Sequence, residues 1–274
     1  MNVIELLHYG VILLYLVGSG GHICGLLTRK ERPRIIGGAL TGLGFALQAV
    51  SLGMMLAEGP AQALASGEFY VSLLSWCLLL VLFILWVRLK LSFLALIATP
   101  LAMIMLLGSR GITASNVQLP EALAGLFFGL HIGSLFCSIA LLAMASAAGM
   151  GYLMLERRIK TKEKLKGAWA AMPSLESLDK ANRLSVTIGF PLYTVGLVSG
   201  FIWAGVTWHR FFSWDPKEIV AVFIWLLFAF LFHQRIALGW RGRKPARLAI
   251  VVFALCLASI LIINFLLKTH HSFA

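Results

Sequence analysis

Charge is scarce in this chain. Only 12% of its 274 residues are charged, and just 11 are acidic, against roughly a quarter charged in an average soluble domain. Cysteine is equally sparing. Cys24, Cys77, Cys137 and Cys256 all lie inside apolar runs, with no C-x-x-C and no C-x-x-C-H among them. This excludes a disulfide oxidoreductase and a chain that itself carries covalent haem. No basic residue precedes the first apolar stretch, since Arg29 comes after it. A cleavable signal needs the reverse order, so the first span is expected to stay in the mature protein. No long polar segment is present either, the largest stretch between spans being 156–183.

What remains is apolar. Such residues make up 60% of the chain and the mean hydropathy is +0.91, more apolar surface than one core can hide from water. The solvent is therefore lipid, and at about 20 residues per crossing the length suits roughly eight helices. Apolar runs and their breaks place spans near 3–27, 35–57, 69–87, 91–107, 122–155, 184–206, 217–234 and 248–267. The expected fold is all-α, a polytopic membrane protein whose residues 1–274 form a single membrane domain.

The charge of +12 is distributed unevenly. Connections after odd-numbered spans hold 19 of the 23 Lys and Arg, whereas the other side keeps Arg110, Arg210, Lys217 and Lys268. Basic loops stay cytoplasmic, so both termini are expected outside. A nucleic-acid surface would need clustered cations on a folded domain, and no segment here is long enough to make one.

Small residues recur at helix-contact spacing as Gly38 with Gly42, Ala143 with Ala147, and Gly196 with Gly200, a pattern that lets helices approach closely in lipid. Span 5 is long. His131 lies 25 residues before Glu156, about 37 Å along a helix axis, which puts it at or beyond the outer edge of the hydrocarbon.

The densest unusual segment joins spans 6 and 7, from Phe201 to Glu218. Six of its first fourteen residues are aromatic. Tryptophan belongs at membrane interfaces, and Asp215-Pro216-Lys217-Glu218 reads as an N-cap, a first-position proline and a capping box. Belt and cap account for the residue types. They account less well for three tryptophans and two phenylalanines flanking the single Arg210. A flat apolar ring bearing carboxylates would use both, the aromatics as stacking faces and Arg210 as a bidentate donor. Haem is such a ligand and takes axial imidazoles. Outer histidines are available in His131, His209, His270 and His271, while His8 sits near Glu5 as a local polar pair.

At these residues the sequence resembles the tryptophan-rich "WWD" signature of the cytochrome c assembly family, haem-handling proteins of the CcsA/ResC, CcmC and CcmF type. The signature runs W-G-x-x-W-x-W-D and usually continues P-K-E. Trp208, Trp214, Asp215, Pro216, Lys217 and Glu218 match it, whereas His209 stands for the glycine and Phe212 for the middle tryptophan. Leu175–Asp179, Gly189-Phe190, Ile224-Trp225, Phe232–Arg235, His271–Phe273 and the helix from His131 to Arg158 are also CcsA-like. The likeness is strongest over about 120–274 and weaker over 1–120.

The resemblance implies non-covalent haem b, with His131 and His271 ligating the iron from opposite faces. Trp208, Phe212, Trp214 and Asp215 would form the platform under the porphyrin, and His233 would be an intramembrane ligand that receives haem on its way out. His22 could complete that inner site as a second ligand, although hydrogen-bonded packing beside Gly20 and Gly21 explains it better. Two imidazoles would give a low-spin, six-coordinate iron. The implied activity is presentation of haem at the outer face of a bacterial cytoplasmic membrane for cytochrome c maturation. Its implied partners are a ResB/CcsB-like membrane protein and apocytochrome c. The chain carries no catalytic motif of its own and would act at most within a haem-attachment complex. A second reading is a HemX-like regulator acting on glutamyl-tRNA reductase. A third is a haem-free membrane protein in which the loop is only an interface belt.

Overall fold

A computed structural model describes residues 2–109, 128–212 and 214–266, with only the backbone described for 60, 61, 65, 128, 168, 207, 208 and 261–266. The described residues form helices joined by turns and short irregular connections. Helices α1 (Val3–Thr28), α2 (Glu31–Glu58), the short α3 (Pro60–Ala65) and α4 (Gly67–Leu89) are followed by a 3-10 turn (Ser92–Leu94) and α5 (Ala95–Ser109). A π turn (Phe128–Gly133) opens α6 (Ser134–Lys160), a second 3-10 turn spans Gly167–Ala171, and α7 (Leu175–Trp208), α8 (Pro216–Ile236) and α9 (Arg243–Leu266) complete the chain. Seven helical stretches among the described residues are long and apolar enough to cross a membrane. The protein is a polytopic helical membrane protein. The eighth expected span coincides with α9, which begins five residues before it.

Helices extend beyond the apolar runs because lipid leaves backbone groups no other partner. Thus α2 starts at Glu31, four residues ahead of the expected 35, and α7 begins at Leu175 instead of 184. The connections shrink accordingly, leaving Arg29 and Lys30 between α1 and α2 while Arg32 and Arg34 lie on α2 itself.

The chain divides into two compact units. The first comprises the described part of 1–114 together with 153–177. Here α1 packs on α2 and α5, and α4 packs on α5 and α2. Glycine permits the α1–α2 crossing: a Cβ on Gly37 would lie 2.8 Å from the Gly18 carbonyl, and one on Gly21 would lie 2.8 Å from the Gly37 Cα. Of the expected pair Gly38 and Gly42, only Gly38 is in close contact, against Trp86. One polar cluster between these helices is internally paired. Gln48 accepts from Tyr15 at 2.7 Å and donates to the Ser72 carbonyl and to Ser75, as burial in an apolar medium demands.

The second unit comprises the described part of 115–152 and 178–274. Its core gathers Leu142, Val186, Tyr193, Ile224, Phe228, Leu231 and Val252 from α6, α7, α8 and α9. Three side-chain bonds to main-chain carbonyls pin α6 against α7: His131 to Gly196, Ser138 to Gly189, and Asn182 to Ala145. Each rung lies seven residues from the next on both helices. Two helical turns separate successive rungs, so the seam runs antiparallel in a fixed heptad register. Ala143 and Ala147 are buried on the same helix.

A candidate haem-binding site at the outer end of the second unit

His131 owes its position to an irregularity in the helix. It lies within the π turn Phe128–Gly133, where the Ser134 hydroxyl donates to the Leu130 carbonyl. Such one-turn widenings of a helix are frequent at functional sites. The imidazole sits across α7, with Nδ1 2.7 Å from the Gly196 carbonyl oxygen. A carbonyl only accepts, so Nδ1 carries the proton and Nε2 holds the lone pair in the neutral ring. A backbone carbonyl on one ring nitrogen fixes the tautomer and the orientation of an imidazole.

The glycines below the ring make this seat possible. A Cβ on Gly200 would lie 2.5 Å from His131 Cε1 and 2.7 Å from Nδ1, and a Cβ on Gly196 would meet Leu135 at 2.5 Å. The Gly196–Gly200 pair is therefore the bed of the histidine as well as a helix-packing surface.

From Gly200 the aromatic run begins with the next residue. Phe201 contacts Phe212 edge-on at 5.8 Å, and Phe212 contacts Trp214 at 5.1 Å and 84°. Phe211 lies over Gly205, where a Cβ would meet its ring at 2.6 Å. Two aromatic faces stay open, Trp214 being 76% and Phe211 69% exposed. Arg210 and His209 are exposed beside them. Trp208 ends α7; its side chain lies outside the described residues, as do His270 and His271.

Two residues of this loop adopt left-handed backbone, His209 at φ 55° and Trp214 at φ 60°. Position 209 is where the signature has glycine, and the conformation explains that choice, because only glycine takes positive φ without steric cost. Here a histidine bears the strain. Asp215, only 6% exposed, has a structural function too. It is the N-cap of α8, its Oδ1 accepting the Lys217 amide at 2.8 Å, and Pro216 takes the first helical position as expected.

His233 does not join this group. It stands on the exposed side of the last turn of α8, 18 residues from Asp215, or about 27 Å along the axis. Its neighbour Arg235 is buried to 1% exposure and was not anticipated as a site residue. Nη1 binds both oxygens of Asp179 at 3.0 and 3.2 Å and the Trp240 carbonyl; Nη2 binds the Asp179 carbonyl and Asn182. Asp179 also accepts the Gly242 amide. This clamp closes the turn between α8 and α9 and fixes the end of the helix that carries His233. The signal was present in the sequence as Asp179 and Arg235, but their pairing across 56 residues is tertiary information.

In the first unit, His22 is buried with its ring edge-on to Trp86 and Nε2 3.3 Å from Thr41, whose hydroxyl donates to the Gly37 carbonyl. Helix packing accounts for that residue. His8 lies 3.8 Å from Glu68 on α4, while Glu5 accepts the Asn2 amide.

The donor set fits haem. One imidazole is oriented through its Nδ1, exposed aromatic side chains suit a porphyrin plane, and an exposed guanidinium suits its propionates.

Comparison with known proteins supplies the family. Residues 66–271 match the family described as cytochrome C assembly protein. The cytochrome c biogenesis protein CcsA of Guillardia theta is 31% identical over 218 residues, 73% of this chain and 72% of its own. CcsA of Prochlorococcus marinus (strain NATL2A) is 30% identical over 205 residues, 65% of each chain. CcsA of a Synechococcus strain reaches 42% over 105 residues, but the match covers 38% of this chain and only 30% of that protein. Matches to relatives such as the latter two thus span less than two thirds of their length. The family description covers the aromatic loop and His131 alike, and by its extent the chain belongs to the cytochrome c assembly protein family.

Proposed function

We propose that this protein binds haem b non-covalently at the outer end of the second unit and presents it for attachment to apocytochrome c. The observation that carries the reading is His131 itself, its Nδ1 proton held by the Gly196 carbonyl of the helix that leads into the aromatic loop. His131 and His271 are the two axial ligands in this reading. Trp208, Phe212 and Trp214 line the ring, Arg210 pairs with its propionates, and Asp215 fixes the start of α8 beneath them. His233 serves as the earlier, intramembrane ligand, steadied by the Arg235 clamp. Haem when bound supplies the iron and the vinyl groups to which apocytochrome thiols add.

The protein's own contributions are binding, orientation and exclusion of dioxygen from the metal. The imidazoles of His131 and His271 would hold the iron, and the exposed aromatic side chains would stack on the ring. Eight spans with both termini outside set the loop on the outer face of a bacterial cytoplasmic membrane. The thiol-bearing partner and a ResB/CcsB-like membrane protein complete the assembly.

The test is genetic and chemical together. In cells lacking this gene, covalently haem-bearing cytochrome c should fall to a few per cent of normal and return when the gene is restored. Normal cytochrome c in the deletion would refute the reading.

A further inference from the structure

The segment that follows α6 is strongly basic, and the haem-handling reading uses its charge only to orient the helices. From Glu156 to Lys166 it holds Arg157, Arg158, Lys160, Lys162, Lys164 and Lys166 against only two acids. Both acids are engaged inside the segment, Glu163 with Arg158 at 2.8 Å and Glu156 with Lys160 at 2.7 Å. Arg157, Lys162, Lys164 and Lys166 are exposed, as are Ile159 and Leu165 between them.

This is an ordered turn and not a loose tail. The Glu163 amide donates to the Arg158 carbonyl and the Lys162 amide to the Ile159 carbonyl, the paired bonds of a Schellman cap. Its left-handed position, usually glycine, is Lys162 at φ 54°. The Thr161 hydroxyl bonds Glu163 and the carbonyls of Arg157 and Arg158. Gly167 at φ 64° then turns the chain into the 3-10 segment, where the Arg158 guanidinium lies 4.1 Å over Trp169. That segment packs on α1.

We propose that residues 157–169 form a docking site for the phosphate groups of anionic phospholipids. The turn leaves the end of a membrane-spanning stretch, Gly129–Lys160, and so stands at headgroup depth. Cations set directly beyond a span attract anionic lipid. Ile159, Leu165 and the half-buried Trp169 offer the apolar and aromatic contacts that accompany such a surface. Charge complementarity together with that depth identifies lipid as the occupant. Keeping a lysine at the left-handed cap position maintains the row of cations where glycine would interrupt it.

The proposal is independent of haem, and so is its test. The detergent-purified chain is exposed to equal amounts of phosphatidylglycerol and phosphatidylcholine, and retained lipid is counted by native mass spectrometry. At least a fivefold preference for phosphatidylglycerol is expected, weakening as salt is raised. The triple variant Lys162→Gln/Lys164→Gln/Lys166→Gln should lose the preference, and the corresponding triple Lys→Arg variant should keep it. Should the first fail to fold, Lys164→Gln alone should reduce the preference about twofold. Millimolar inorganic phosphate should not displace the lipid. An undiminished preference in the glutamine variants would overturn the proposal. So would displacement by free phosphate, or tighter binding of an RNA homopolymer or polyglutamate than of phosphatidylglycerol.

Discussion

A single hydrogen bond sets the chemistry of His131. With Nδ1 held 2.7 Å from the Gly196 carbonyl, the ring is oriented before any ligand arrives, and its seat depends on the absence of a side chain at Gly200. Gly200→Ala would drive a methyl group into the imidazole, an overpacking that costs about 1–3 kcal/mol. The account expects this variant to insert and fold yet bind haem at least tenfold more weakly; unchanged affinity by haem titration would show that the seat is irrelevant. His209 gives a prediction of opposite sign. Its left-handed backbone costs about 1–2 kcal/mol in a residue with a Cβ, so His209→Gly should raise thermal stability by about 1 kcal/mol. A loss of stability would mean that the imidazole makes contacts outweighing the strain.

At the level of elements, much was legible and the reasons are physical. Among the described residues the apolar runs form helices, because hydrocarbon offers an unpaired backbone no alternative. The Asp215-Pro216 cap was equally readable, since its chemistry is local. What escaped was whatever depends on register. Nothing in residues 128–133 announces a π turn. The seven-residue ladder joining His131, Ser138 and Ala145 to α7 becomes visible only when two helices are laid side by side. The same holds for Arg235. Its residue type was noted, but the Asp179–Asn182 clamp requires three elements to meet. Removing one partner strands a buried charge, at about 3–5 kcal/mol. Asp179→Ala should therefore lower the unfolding midpoint far more than Asp215→Ala, which forfeits a cap of about 1 kcal/mol. Equal effects on thermal unfolding would contradict the clamp.

For the molecule as a whole, the uneven distribution of 23 Lys and Arg predicts the orientation of the helices, and orientation decides which face bears the aromatic loop. Cysteines introduced at Arg210 or in place of Ala274 should react with a membrane-impermeant maleimide on intact cells, while one at Lys164 should not. Labelling at Lys164 in place of the other two would invert the topology. The chain's place in the cytochrome c assembly protein family rests on residues 66–271, a stretch that takes in His131, the loop and His271. The central claim is that His131 and His271 hold one iron between them, and absorbance spectroscopy of the purified protein tests it most directly. The wild type should show a reduced low-spin haem spectrum that is lost in His131→Gly and in His271→Gly and restored in each by added imidazole. An identical spectrum in all three proteins would contradict the account.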